Sequence, residues 1–77
     1  MNNNGTNRVA QYLQLPYTIV LRLDEDGDWA AHVKELEGCA AHGDDPAEAL
    51  ANLRDVQEGW IRLRLETGKS IPEPNVN

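Results

Sequence analysis

A few side chains have the types and spacing that chemistry requires. Asp24, Asp26 and Asp28 alternate around Gly27, the oxygen-rich pattern of a divalent-cation loop. A calcium loop of the helix–loop–helix kind also needs a glutamate at its twelfth position and a helix on each side. Here the aspartates fall between two strand-like runs, so they read as an acidic hairpin tip. His32, Cys39 and His42 are the soft ligands. They lack the paired spacing of zinc sites, and Cys39 in its apolar setting reads as a small core residue. Ser70 has no triad around it. There is no glycine-rich phosphate loop and no basic patch with interleaved aromatics. The residues therefore point to no catalytic group, no metal ligand and no cofactor.

The elements that must position these side chains are legible around one stretch, Leu36 to Leu50. Gly38 and Gly43 bracket Cys39 to His42, where a short strand fits between two corners. Asp45 suits a helix N-cap, and Pro46 loses nothing at the first helical position because its amide would lack a partner there. Glu48, three residues after the cap, can reach back toward it and suits the positive helix end.

Before this stretch, Tyr17 to Leu23 alternates, with Tyr17, Ile19, Leu21 and Leu23 on one face and Thr18, Val20 and Arg22 on the other. The Asp-Gly turn follows, and Trp29 to Lys34 returns with Trp29, Ala31 and Val33 opposite Ala30, His32 and Lys34. After it, Pro46 to Thr67 reads as one long helix. Its expected apolar stripe is Ala49, Leu50, Leu53, Val56, Trp60 and Leu63. Ile61 and Leu65 lie off that stripe, as candidates for subunit contact or for packing under an N-terminal helix. Gly59 costs about 1 kcal/mol relative to alanine; it either allows a close approach or is simply tolerated. Gly68 suits the helix end. Residues 1–7 are polar and expected to be disordered. Arg8 to Leu15 is a candidate short helix stopped by Pro16. One domain over 8–70 and an extended tail over 71–77 complete the chain. The expected class is α+β: a three-stranded antiparallel sheet covered on one face by one long helix.

The uncovered face carries Val20, Ala30 and Ala40 among Thr18, Arg22, His32, Lys34 and His42. It is either an interface or the ordinary wet face of an antiparallel sheet. The chain has 77 residues and net charge −6, which is small enough to gain from a partner. A homodimer or a dimer of dimers is expected. Asp24 to Glu58 holds eleven acidic side chains against Lys34 and Arg54, whereas the rest has two acids and five basic residues. An acidic middle repels nucleic acid and attracts basic surfaces. DNA binding is therefore not expected, and no recognition helix is expected within these 77 residues. A single cysteine, with no apolar leader after Met1 and no membrane-length apolar run, fits a cytoplasmic location.

The runs Tyr17-Thr18-Ile19-Val20-Leu21, Asp26-Gly27-Asp28-Trp29-Ala30-Ala31, Leu36-Glu37-Gly38-Cys39 and Gly43-Asp44-Asp45-Pro46-Ala47-Glu48-Ala49, then Trp60 and Ile71-Pro72-Glu73-Pro74, resemble the HicB-like antitoxin family in order and spacing. The resemblance covers Tyr17 to Pro74. It implies a partial ribonuclease-H-like fold and an antitoxin that blocks a small basic ribonuclease toxin (HicA-like), without catalysis of its own. The candidate partner-binding residues are Val20, Arg22, Ala30 and His32 on the sheet face, with Asp24, Asp26 and Asp28 at the hairpin tip. The alternatives are a degenerate metal-dependent nuclease using Asp24, Asp26, Asp28 or Glu48, and an orphan HicB-like protein with no toxin.

Overall fold

The structure is a computed structural model, and it describes residues 4–74. The outer parts of the two expected tails, residues 1–3 and 75–77, lie outside the described residues. The elements run in order as α1 (Asn4–Leu13), β1 (Ile19–Leu23), β2 (Trp29–Val33), β3 (Ala40–Gly43) and α2 (Pro46–Glu66). The three strands form an antiparallel sheet in chain order, β1-β2-β3. This is the expected α+β arrangement of a three-stranded sheet and one long helix. Helix α1 begins at Asn4 rather than at the expected Arg8, so it includes residues 4–7.

Each connection has a local cause. Between β1 and β2 the Asp24 amide donates to the Asp28 carbonyl at 2.7 Å and the Gly27 amide to the Asp24 carbonyl at 3.0 Å. Gly27 takes φ +90, the left-handed residue that completes a three-residue hairpin loop. Between β2 and β3 two turns follow one another, closed by Leu36 N–H to Val33 O and Cys39 N–H to Leu36 O. Gly38 supplies the positive φ there. The side chains of Leu36 and Cys39 turn inward from this loop and are fully buried, so they seal that end of the sheet. The buried thiol has its pKa raised by desolvation. The loop is also tied to the start of β1: Glu35 accepts from the Thr18 amide at 2.9 Å and from the Thr18 hydroxyl at 2.7 Å. Those two bonds favour the carboxylate and hold the Glu35 pKa below its ordinary value.

Helix α2 starts as its sequence dictates. The Asp45 carboxylate accepts from the Glu48 amide at 2.8 Å, and the Glu48 carboxylate in turn accepts from the Asp44 amide, one residue before the cap. It ends on Gly68 at φ +70. There Gly68 N–H donates to Leu65 O and Lys69 N–H to Arg64 O, the paired bonds that satisfy last-turn carbonyls.

The helix lies across β3 and β2, and this position decides which residues it buries. The buried stripe is Ala49, Leu53, Gln57 and Ile61, a run of four-residue steps. The expected stripe is corrected on three members: Leu50, Val56 and Leu63 are exposed at 39%, 37% and 61%. Ile61, placed off the stripe on sequence grounds, is a fully buried core residue, with Leu65 packed half-buried against that core. The core itself gathers Val9, Ala31, Val33, Leu36, Cys39, Ala49, Leu53, Ile61 and Ile71. Gly59 faces open space, so no close approach requires it.

Two further bonds close the fold. The Tyr17 hydroxyl donates to the Pro72 carbonyl at 2.6 Å, and the Trp60 indole N–H donates to the Glu37 carbonyl at 3.1 Å. Burial, and then the nearby Tyr12, Glu73 and Glu35, push the Tyr17 pKa up to about 12. Arg64 lies 4.5 Å over the Trp60 ring.

Candidate partner-binding face

Alternation along the strands sends Val20, Arg22, Ala30, His32, Ala40 and His42 to the sheet face away from α2. The register aligns them in two rows, Val20–His32–Ala40 and Arg22–Ala30–His42. Ala30 and Ala40 are too short to fill the space between their longer neighbours. A broad, shallow depression of about 730 Å³ results, lined by Arg22, Ala30, His32, Lys34, Ala40 and His42 among others. Four of the candidate residues, Val20, Arg22, Ala30 and His32, thus stand together on one surface.

Asp24, Asp26 and Asp28 lie at the end of that surface, on the hairpin tip. Asp24 turns back onto the face, with its Oδ2 3.5 Å from His42 Nε2. Both groups remain in reach of solvent, so such a pair adds little to stability. Asp26 and Asp28 are exposed.

The register adds residues that sequence reasoning left out of the site. Trp29 pairs with Gly43, which sets the hairpin tip beside the β3–α2 junction. Asp44, Asp45 and Glu48 are exposed there. The three tip aspartates and these three carboxylates therefore share one end of the molecule. The signal was the third strand's own alternation together with the short path from Gly43 to the cap.

Close packing fixes this junction. A Cβ on Gly43 would overlap the Ala49 amide nitrogen and lie 2.8 Å from the Glu48 carbonyl carbon and 2.9 Å from Ala49 Cα. Only a glycine lets the first turn of α2 approach β3 this closely. Asn52 Nδ2 then donates to the His42 carbonyl at 2.8 Å, which ties the helix to the edge of β3.

Arg22 near the tip and Lys34 at the opposite end put two cations on the depression, with Glu35 and Glu37 also on its lining, while the tip and the helix start are acidic. Among the described residues no group of three or more His, Cys, Asp or Glu is arranged to hold a metal ion. No described helix is long and apolar enough to cross a membrane.

Two curated relatives are similar to the chain over most of its length. A UPF0150 protein of Thermoplasma acidophilum is 31% identical over 61 residues, covering 79% of this chain and 88% of the relative. A UPF0150 protein of Synechocystis is 28% identical over 60 residues, covering 78% and 76%. No solved structure matches the chain significantly. Residues 17–72, from the tyrosine tied to the tail through the whole sheet and long helix to the proline that receives its hydroxyl, match the UPF0150-like family, and the chain belongs to that family.

Proposed function

We propose that this chain is a non-catalytic, HicB-like antitoxin that binds a small basic ribonuclease toxin and covers the surface that would take RNA. The domain is then a partial ribonuclease-H-like fold used for binding. The acidic end carries the reading: Asp24, Asp26 and Asp28 on the hairpin tip stand beside Asp44, Asp45 and Glu48 at the start of α2. A ribonuclease must present positive charge to a polyanion, and clustered carboxylates compete for that charge. Such complementarity mainly raises the association rate and makes it salt-sensitive.

The two cations of the sheet face refine the contact. Arg22 and Lys34 would repel a basic partner, so its charged surface docks on the acidic end. Val20, Ala30 and His32 supply the shorter-range contact beside it. DNA binding and nuclease activity form no part of this reading, and the site of action is the cytoplasm.

Co-expression with the product of the adjacent small basic gene tests it. Growth rescue and co-purification are expected. Replacing Asp24, Asp26 and Asp28 with lysine should slow association and reduce its salt dependence while leaving the fold intact. No rescue and no complex would overturn the antitoxin reading.

A further inference from the structure

Among the described residues five large hydrophobic side chains are exposed, and three of them, Ile19 at 39%, Leu23 at 58% and Leu50 at 39%, gather around strand β1. The cause is the position of α2. Because the helix lies across β3 and β2, the helix-side residues of β1 are only partly covered. A groove lined by Ile19, Leu50, Leu53, Arg54 and Gln57 runs between strand and helix.

The backbone of β1 is open as well. Among the described residues β1 has one neighbour, β2. Lys34 N–H donates to Thr18 O and Asp24 N–H to Asp28 O. Antiparallel alternation then turns the amides and carbonyls of residues 18, 20, 22 and 24 toward β2, and those of Ile19, Leu21 and Leu23 toward the open edge. Proteins usually guard such an edge with proline, bulges or several charges. Tyr17 to Leu23 has only Arg22. The other edge is better defended, since Asn52 already occupies the outward His42 carbonyl.

We propose that β1 is the seam of a two-fold homodimer, pairing antiparallel with β1 of a second copy to make one continuous six-stranded sheet. The register follows from the strand itself. With Leu21 at the axis, Ile19 lies opposite Leu23 of the second copy, and all three outward residues find partners. Each of these three pairs exchanges two backbone hydrogen bonds. Sliding the register so that the axis falls on Arg22 sets two arginines face to face and leaves Ile19 without its match.

Charge favours the same orientation. Antiparallel pairing sets the acidic hairpin tip of one copy beside the far end of the other sheet, where Lys34 stands with Glu35 and Glu37, an end far less acidic than the tip. A parallel pairing would bring the two acidic tips together. On the helix side, Ile19, Leu21, Leu23 and Leu50 of both copies meet in one apolar layer. A second copy therefore satisfies the backbone edge and the exposed side chains at once, and the antiparallel orientation keeps the two acidic tips apart. This inference does not depend on the toxin reading.

Light scattering on the full chain should give twice the monomer mass. Ile19→Lys and Leu23→Glu should each halve that mass with an unchanged circular dichroism spectrum. Combining them in one chain should restore the dimer, because the assigned register sets Lys against Glu across the seam twice. Leu21→Cys should cross-link to itself under oxidation, since paired strands bring the two Cα atoms within disulfide range and Cys39 is buried. This cross-link keeps the test decisive if a charged variant fails to fold. A monomeric wild type, a dimer indifferent to both single changes, or Leu21→Cys that stays uncross-linked would overturn the proposal. Loss of toxin binding with the dimer intact would assign the edge to the toxin instead, and would overturn it too.

Discussion

Alanine placed at two glycines should move stability in opposite directions, and the difference lies entirely in what each methyl meets. At Gly43 the added carbon meets backbone: it overlaps the Ala49 nitrogen and comes within 2.8 Å of the Glu48 carbonyl carbon. No rotamer can relieve contact with backbone, so the first turn of α2 must move off β3. Overpacking of this kind costs about 1–3 kcal/mol. At roughly 0.05–0.15 kcal/mol per residue the whole domain is stable by about 4–12 kcal/mol, so Gly43→Ala removes a large share. The midpoint of thermal unfolding should fall by about 4–8 °C per kcal/mol lost. At Gly59 nothing lies within 4 Å, and the position is inside a helix. There the same substitution should stabilise by up to about 1 kcal/mol. Urea unfolding at one fixed protein concentration measures both, since any self-association makes the midpoint depend on concentration. If Gly43→Ala matches wild type within about 0.5 kcal/mol, the scale of an ordinary surface change, the close approach of β3 and α2 is wrong. If Gly59→Ala destabilises, that residue touches something the open space does not show.

Asp45→Ala removes the acceptor of the Glu48 amide and should cost about 1 kcal/mol, read as a shift in urea midpoint. The Tyr17 pKa is raised to about 12, so folding favours its protonated form. Its contribution to stability is fully present below the ordinary tyrosine pKa of about 10 and is lost as pH rises through about 12. Denaturation midpoints measured across that window should decline in wild type and decline less in Tyr17→Phe. Thr18→Ala removes the hydroxyl donor to Glu35, so the Glu35 carboxyl should titrate nearer its ordinary value by NMR. An unmoved Glu35 would show that the backbone amide alone sets its titration.

The strands and the start of α2 were legible because their signals are local. The alternation of Tyr17 to Leu23 and Trp29 to Lys34, and the Asp45-Pro46-Glu48 cap, each depend on residues within a few positions of one another. The structure trims those strands to Ile19–Leu23 and Trp29–Val33 without changing their faces. The buried side of α2 was less legible. Hydrophobicity draws the stripe through Leu50, Val56 and Leu63 and away from Gln57, yet Gln57 is buried, only 8% exposed. Only the crossing of the helix over β2 and β3 decides that line, and no local pattern encodes the crossing. For the candidate face, parity alone grouped Val20, Arg22, Ala30 and His32. The nearness of Asp44, Asp45 and Glu48 to the tip depends on the pairing of Trp29 with Gly43, a register that the sequence leaves open.

The order of the strands also bears on how quickly this chain finds its shape. Every pair of strands in the sheet is consecutive along the sequence, so no crossover must be threaded and most loops to be closed are short. Chains dominated by such near-neighbour contacts fold rapidly. The bond from Tyr17 to Pro72 spans 55 residues, and Tyr17→Phe should speed unfolding and leave the folding rate unchanged in denaturant-dependent kinetics if that bond closes after hairpins and helix have formed. A contact made after the barrier has been crossed leaves the rate of folding alone and governs the rate of escape. The tyrosine that fastens the tail to the first strand would then work as a latch, setting how long the finished domain stays closed.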